Sequence, residues 1–245
     1  MAPAPRFSVE EEQQLVLDSA AACIADSSIM GFTIGAIAKT AGLSVGSIYK
    51  HVQSKEDILV ALATRLYQHT LQVYSAVLSA ELSDPERIIS LNLLDPNKTR
   101  LYPFDEHLNT LVASEAILSK ASQNWLFQLR QAASAMDELF SRFFQHALDS
   151  GHLVLESESE ADEQQQLQQL SMGLWSMCAG FQHIAMQRHV RGSSEIEAEL
   201  TFPLHANDYP IVCTQRLLNS YSWTAPLCRE GIERACSSLT AMELR

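Results

Sequence analysis

The chain has 245 residues, a formal net charge of −12 and 47% hydrophobic residues. That is ample apolar material for one large or two small packed domains. Five scattered cysteines (Cys23, Cys178, Cys213, Cys228, Cys236) have no C-x-x-C spacing, so neither a disulfide framework nor a zinc site is expected, and a reduced cytosolic set is the default. The start MAPAPRFSVEEEQQ has no apolar core region and no run approaches a membrane span, so no signal peptide and no membrane partner are expected.

In chain order, Met1 to Phe7 reads as a loose arm whose Arg6 can touch a minor groove. Ser8 with Glu11 forms a capping box for a first helix carrying Val16, Ala20, Cys23 and Ile24 on one face. Thr33 caps a second helix, with Ile34, Ile37, Ala38 and Ala41 at i, i+3, i+4 and i+7. Gly42 supplies a left-handed stop. Ser44 opens a short third helix from about Val45 to His51, with Ile48 as its buried residue. Ser54 opens a fourth, with Asp57 completing an S-x-x-D pattern. Two helices joined by a short turn containing Gly have helix-turn-helix geometry, and the second enters a major groove by its N-terminal residues.

Thr33, Ile37-Ala38, Ala41-Gly42-Leu43-Ser44, Gly46-Ser47-Ile48-Tyr49, His51 and Lys55-Glu56 resemble the tetracycline-repressor (TetR) family of transcriptional regulators. The resemblance covers roughly Ser8 to Leu62. One departure is Ser28, where many members end the first helix with glycine. The resemblance implies an all-α fold: a three-helix DNA-binding domain (residues 1–55), then a larger helical effector-binding and dimerisation domain (56–245), the helix from Ser54 being shared. It also implies a homodimer on double-stranded operator DNA, cytoplasmic in the bacterial manner, usually a repressor released by a small molecule.

The expected DNA-binding residues are Thr33, Ser44, Val45, Gly46, Ser47, Tyr49, Lys50, His51 and Lys55. Ile37, Ala38, Ala41 and Ile48 read as core. Val45, Gly46 and Ser47 are small, so direct base readout is sparse and DNA shape carries much of the specificity. Tyr49 and Lys50 are phosphate candidates. Lys55 at a helix N-terminus opposes the macrodipole, which makes sense if a phosphate lies there. Residues 1–60 hold four Lys and Arg against seven Asp and Glu, 4 − 7 = −3. The basic groups cluster at the motif, giving a local basic strip on an acidic body and weak non-specific binding.

Further helices are expected from Ser54 towards Ser79, from Asp84 to Leu94, over Asp105 to Leu118 and over Ser122 to Ser150. Glu156 to Glu163 reads as a solvated acidic run before a helix at 164–190. A connector spans Arg191 to Tyr209, briefly helical at Glu195 to Leu200. The last two helices start near Asn207 or Asp208 and near Thr224. Nothing alternates with period two, so essentially no sheet is expected.

Helix 164–190 is apolar on several faces, which demands burial nearly all round. Gly173, Met177, Gly180 and Ile184 are the expected dimer face. Trp125, Phe140, Phe144, His146, Met172, Trp175, Gln182, His183 and Met186 are the expected effector pocket, suited to a mainly apolar, neutral or cationic molecule. Packed core is the competing reading for each. No enzyme motif, cofactor fingerprint or metal spacing is present. The alternative is a helix-turn-helix regulator governed by a protein partner, or one with no ligand.

Overall fold

The computed structural model describes residues 7–191 and 201–245, without the side chains of Ala185, Met186 and residues 188–191. The expected reach of Arg6 and the expected helix at Glu195 to Leu200 lie outside the described residues. Twelve helices are found among the described residues: α1 (Val9–Asp26), α2 (Ile34–Ala41), α3 (Val45–His51), α4 (Lys55–Leu78), α5 (Asp84–Leu93), α6 (Pro96–Thr99), α7 (Asp105–Val112), α8 (Glu115–Leu118), α9 (Gln123–Asp149), α10 (Glu160–Arg191), α11 (Tyr209–Leu218) and α12 (Arg229–Ala241). The fold is all-α. Beside the helices stands one two-residue antiparallel ladder, β1 (Leu153–Val154) with β2 (Ser222–Trp223).

The chain divides into two compact units. The first comprises residues 1–70 and 100–135, the second 71–99 and 136–245. α4 and α9 each begin in the first unit and end in the second.

In the first unit, local chemistry sets each helix boundary. Ser8 accepts from Glu11 N–H while Glu11 accepts from Ser8 N–H, closing the capping box of α1. Thr33 Oγ1 accepts from Ala36 N–H at 3.1 Å and starts α2. Gly42 ends it at φ 64°, a conformation that costs other residues about 1 kcal/mol. Val16, Ala20 and Ile24 of α1 pack with Ile37, Ala38, Ile48, Ile58 and Leu62. The same core continues through Leu108 and Val112 of α7, Ile117 of α8 and Trp125 of α9. Arg65 of α4 ties back to α1, donating to Asp18 at 2.7 Å and to Gln14.

The second unit is built around Ile88, Ile89, Leu93, Phe144, Leu170, Ile211, Ile232 and Leu239. Ser83, not Asp84, caps α5, because Ser83 and Glu86 form the capping box. The buried Glu86 carboxylate also accepts from Arg234 of α12. Gly231 permits that arrangement, since a Cβ there would lie 2.7 Å from Glu86 Oε1. Gly231→Ala is therefore expected to destabilise this unit by roughly 1–2 kcal/mol through overpacking. A urea melt in which the alanine variant matches the wild type would refute the pinned carboxylate.

Other boundaries also differ from expectation. The helix expected over Asp105 to Leu118 is two helices, interrupted at Ala113 and Ser114, where Ser114 Oγ donates to Leu111 O at 2.7 Å. The last helix starts at Arg229, because Thr224 is held by His152 O beside the ladder.

Candidate nucleic-acid interface

α2 and α3 meet through a three-residue connection, Gly42-Leu43-Ser44. Ser44 Oγ accepts from Ser47 N–H at 3.0 Å, and the two serine hydroxyls lie 3.2 Å apart. Ile48 is the fully buried residue of α3 and fixes which side turns inward. The outward side carries Val45, Gly46, Tyr49 and Lys50, all exposed. Ser47 is half-buried against Ser44. Thr33 is exposed at the start of α2, its oxygen already accepting while its hydroxyl hydrogen stays available to donate. Lys55 is exposed at the first position of α4, with its ammonium 5.0 Å from the centre of the Phe32 ring. The aromatic face partly offsets the unfavourable position of a cation at a helix N-terminus.

His51 departs from the expected set. Its side chain is only 5% exposed and turns towards α1, with Nε2 3.5 Å from Glu12 Oε2 and no hydrogen-bond partner. In this position the imidazole cannot reach a phosphate. The seventh residue of a short helix with Ile48 inward is carried partly round to the buried side, and the polarity of His concealed that in the sequence.

The expected pocket residues are not brought together. Trp125 belongs to the core of the first unit, where its indole N–H donates to His51 O at 3.1 Å. Phe140 and Phe144 lie in the second unit. There Tyr74, Phe140, Phe143 and Phe144 form a chain of ring contacts with centroids 5.5–6.5 Å apart. Burial pushes the Tyr74 phenol well above its ordinary value, with the neighbouring Cys178 thiol adding to the shift. The hydroxyl therefore stays protonated. His146, Met172, Trp175, Gln182 and His183 are all exposed. The side chain of Met186 lies outside the described residues. The sequence places Phe143 on the apolar stripe of the helix over Ser122 to Ser150 but not in the pocket, and does not single out Tyr74. A separate half-open cleft of about 390 Å³ in the first unit is lined by Glu115, Leu118, Ser119, Gln123, Leu126, Leu129 and Arg130; it contains none of the expected pocket residues.

Of the expected dimer residues, Gly173 faces Leu217 of α11 within the same chain, where a Cβ would sit 3.3 Å from Leu217 Cδ2. Met177 is half-buried, Gly180 has open space beside it, and Ile184 is exposed. The most exposed side of α10 is instead Met172, Trp175, Ser176, Ala179 and His183, spaced i, i+3, i+4, i+7 and i+11. Trp175 is 66% exposed and Met172 47%.

A capped helix, a glycine turn and a second helix with a solvent-facing polar and small-residue side define a helix-turn-helix DNA-binding head. Residues 16–62 match the family model for bacterial regulatory proteins of the tetR family. Residues 16–62 thus form a DNA-binding head of the tetR-family type, the head of a DNA-binding transcriptional regulator. No curated protein sequence matches the chain significantly. Among solved structures, it is similar to reduced NemR of E. coli, with 20% identity, TM-score 0.54 and 87% of this chain and 98% of that chain covered. A putative TetR-family regulator from Mesorhizobium loti is 16% identical, with TM-score 0.53 and 89% and 100% covered. The SmeT–triclosan complex, of the Stenotrophomonas maltophilia repressor, is 17% identical, with TM-score 0.51 and 89% and 94% covered. These likenesses concern the fold. No described helix is long and apolar enough to cross a membrane.

Proposed function

We propose that the chain acts as a homodimer on a two-fold operator in double-stranded DNA, as a cytoplasmic repressor that a mainly apolar small molecule releases. The observation that carries the DNA reading is the outward side of α3, where Val45, Gly46, Tyr49 and Lys50 stand exposed beside Lys55 while Ile48 is buried. Val45 and Ser47 would meet base edges; Tyr49, Lys50, Lys55, Thr33 and Ser44 would meet phosphates. The aromatic chain of Tyr74, Phe140, Phe143 and Phe144, with one protonated hydroxyl as a polar handle, supports an apolar effector. SmeT in complex with triclosan offers a parallel of the same fold. α4 spans both units and is the lever: an effector that favours a different spacing of the heads lowers DNA affinity by the factor that DNA lowers effector affinity.

The test is the salt dependence of binding to a duplex that the wild-type chain selects from a random library. Lys55→Gln is expected to weaken binding at every sequence and to lower the slope of log K against log salt by about 1. An unchanged slope would remove Lys55 from the phosphate contacts. A wild-type slope implying about ten neutralised phosphates would contradict the sparse basic strip.

A further inference from the structure

α3 is seven residues long, too short to hold its own direction without tertiary support. Its N-terminal end is fixed by Ser44 and its buried side by Ile48. Its C-terminal end is held by α9. The carbonyl of His51, the last residue of α3, accepts from Trp125 Nε1–H at 3.1 Å. Two residues on, Gln53 N–H donates to Asp57 Oδ2 at 2.8 Å. The other oxygen of the same carboxylate accepts from Ser122 N–H at 2.6 Å. Asp57 is 0% exposed. Thus the segment leaving α3 is tied twice to the residues that start α9, once directly and once through a buried carboxylate.

We infer that Trp125 is a positioning residue for DNA binding, and that the first turn of α9 sets the tilt of the recognition helix. This rests on the assignment of α3 as the DNA-reading helix. The buried imidazole of His51 makes no hydrogen bond through Nε2, which lies 3.5 Å from the Glu12 carboxylate of α1. Its backbone carbonyl is what α9 holds. A helix carbonyl at a C-terminal end has no partner within the helix, so an indole donor there replaces water with a directed bond. Directionality matters because base and phosphate contacts need the helix placed within fractions of an ångström. α9 then runs on to Asp149, and its residues Phe144 and Ala147 belong to the core of the second unit. It is therefore a second continuous element, beside α4, through which occupancy of that unit can reach the reading head.

Trp125→Phe tests this in the full-length chain, because it keeps an aromatic ring in the core and removes the donor, together with the smaller ring's share of packed volume. Three quantities are measured: affinity for the duplex selected by the wild type, the melting temperature, and amide hydrogen exchange across α2 and α3. The expected result is about fivefold weaker DNA binding, with faster exchange in α3, unchanged exchange in α2 and a modestly lowered melting temperature from the smaller core ring. Wild-type affinity with wild-type exchange in α3 would overturn the inference. So would a loss of affinity that merely follows a lowered melting temperature with α2 and α3 loosened together. If the wild type selects no duplex, the DNA reading of α3 fails, while the exchange difference between α2 and α3 still decides whether Trp125 positions α3.

Discussion

Asp57→Ala is expected to destabilise the first unit by about 3 kcal/mol, the largest loss of stability from a single polar residue in the head. The carboxylate is wholly buried and accepts from Gln53 N–H and Ser122 N–H, while Asp57 N–H itself donates to Ser54 Oγ at 3.0 Å. A hydrogen bond to a charged group contributes about 1.5–3 kcal/mol, and a buried donor left alone costs about 1–3 kcal/mol. Alanine strands both donors at once. It also removes an anion from the N-terminal end of α4, where the helix dipole favours one. Asp57→Asn keeps one acceptor oxygen and should lose roughly half as much. Urea titration followed by amide hydrogen exchange across α1 to α3 reads the first unit. A loss below about 1 kcal/mol for the alanine variant would mean that water replaces the carboxylate freely, and that the site is less enclosed than described.

Trp175→Glu is expected to convert the proposed dimer to monomers and to weaken DNA binding by more than about 100-fold. One side of α10 exposes Met172, Trp175 and Ala179 in a single chain, and Trp175 is 66% exposed. A contiguous apolar surface rimmed by Ser176, Gln182 and His183 needs a cover in water. A second copy of the same helix is the cover proposed, because a two-fold contact lets one patch serve both sides. The small Ser176 and Ala179 leave room for a partner's indole. A central tryptophan is worth about 2–4 kcal/mol when truncated, and in a two-fold contact it counts twice. A carboxylate adds the cost of an unpaired buried charge. Both effects fall on association, and each monomer should keep its melting behaviour. Sedimentation equilibrium decides the matter: a Trp175→Glu protein that stays dimeric would place the interface on another face.

The head was legible because its instructions are local. Thr33, Gly42 and Ser44 act on amides within a few residues of themselves, and the spacing of Ile37, Ala38 and Ile48 names the inward side. Where a choice lay between adjacent caps, pattern reasoning slipped: Ser83 wins over Asp84 because Glu86 completes its box. Asp84 instead takes Arg87 at 3.0 Å and His152 at 2.8 Å. The second unit was less legible because α10 is apolar on several sides. Periodicity then locates stripes without saying which one meets the core. Met172 and Trp175 looked like lining and are surface; Gly173 looked like a surface between subunits and faces Leu217. Trp125 joins a carbonyl 74 residues away, a pairing that no window of sequence can show.

The division of labour within α3 bears on how such a regulator can change its target. Structural duty falls on Ile48 and on the serine cap, while Val45, Gly46, Tyr49 and Lys50 carry almost none. A Cβ placed at Gly46 would meet only Ser44 Oγ at 3.7 Å, an ordinary contact, and replacing a helical glycine favours the helix. The reading surface can therefore drift across many residue types while the head stays folded. Duplicated copies of such a chain can part company over their operators by single steps, none of which passes through an unfolded intermediate.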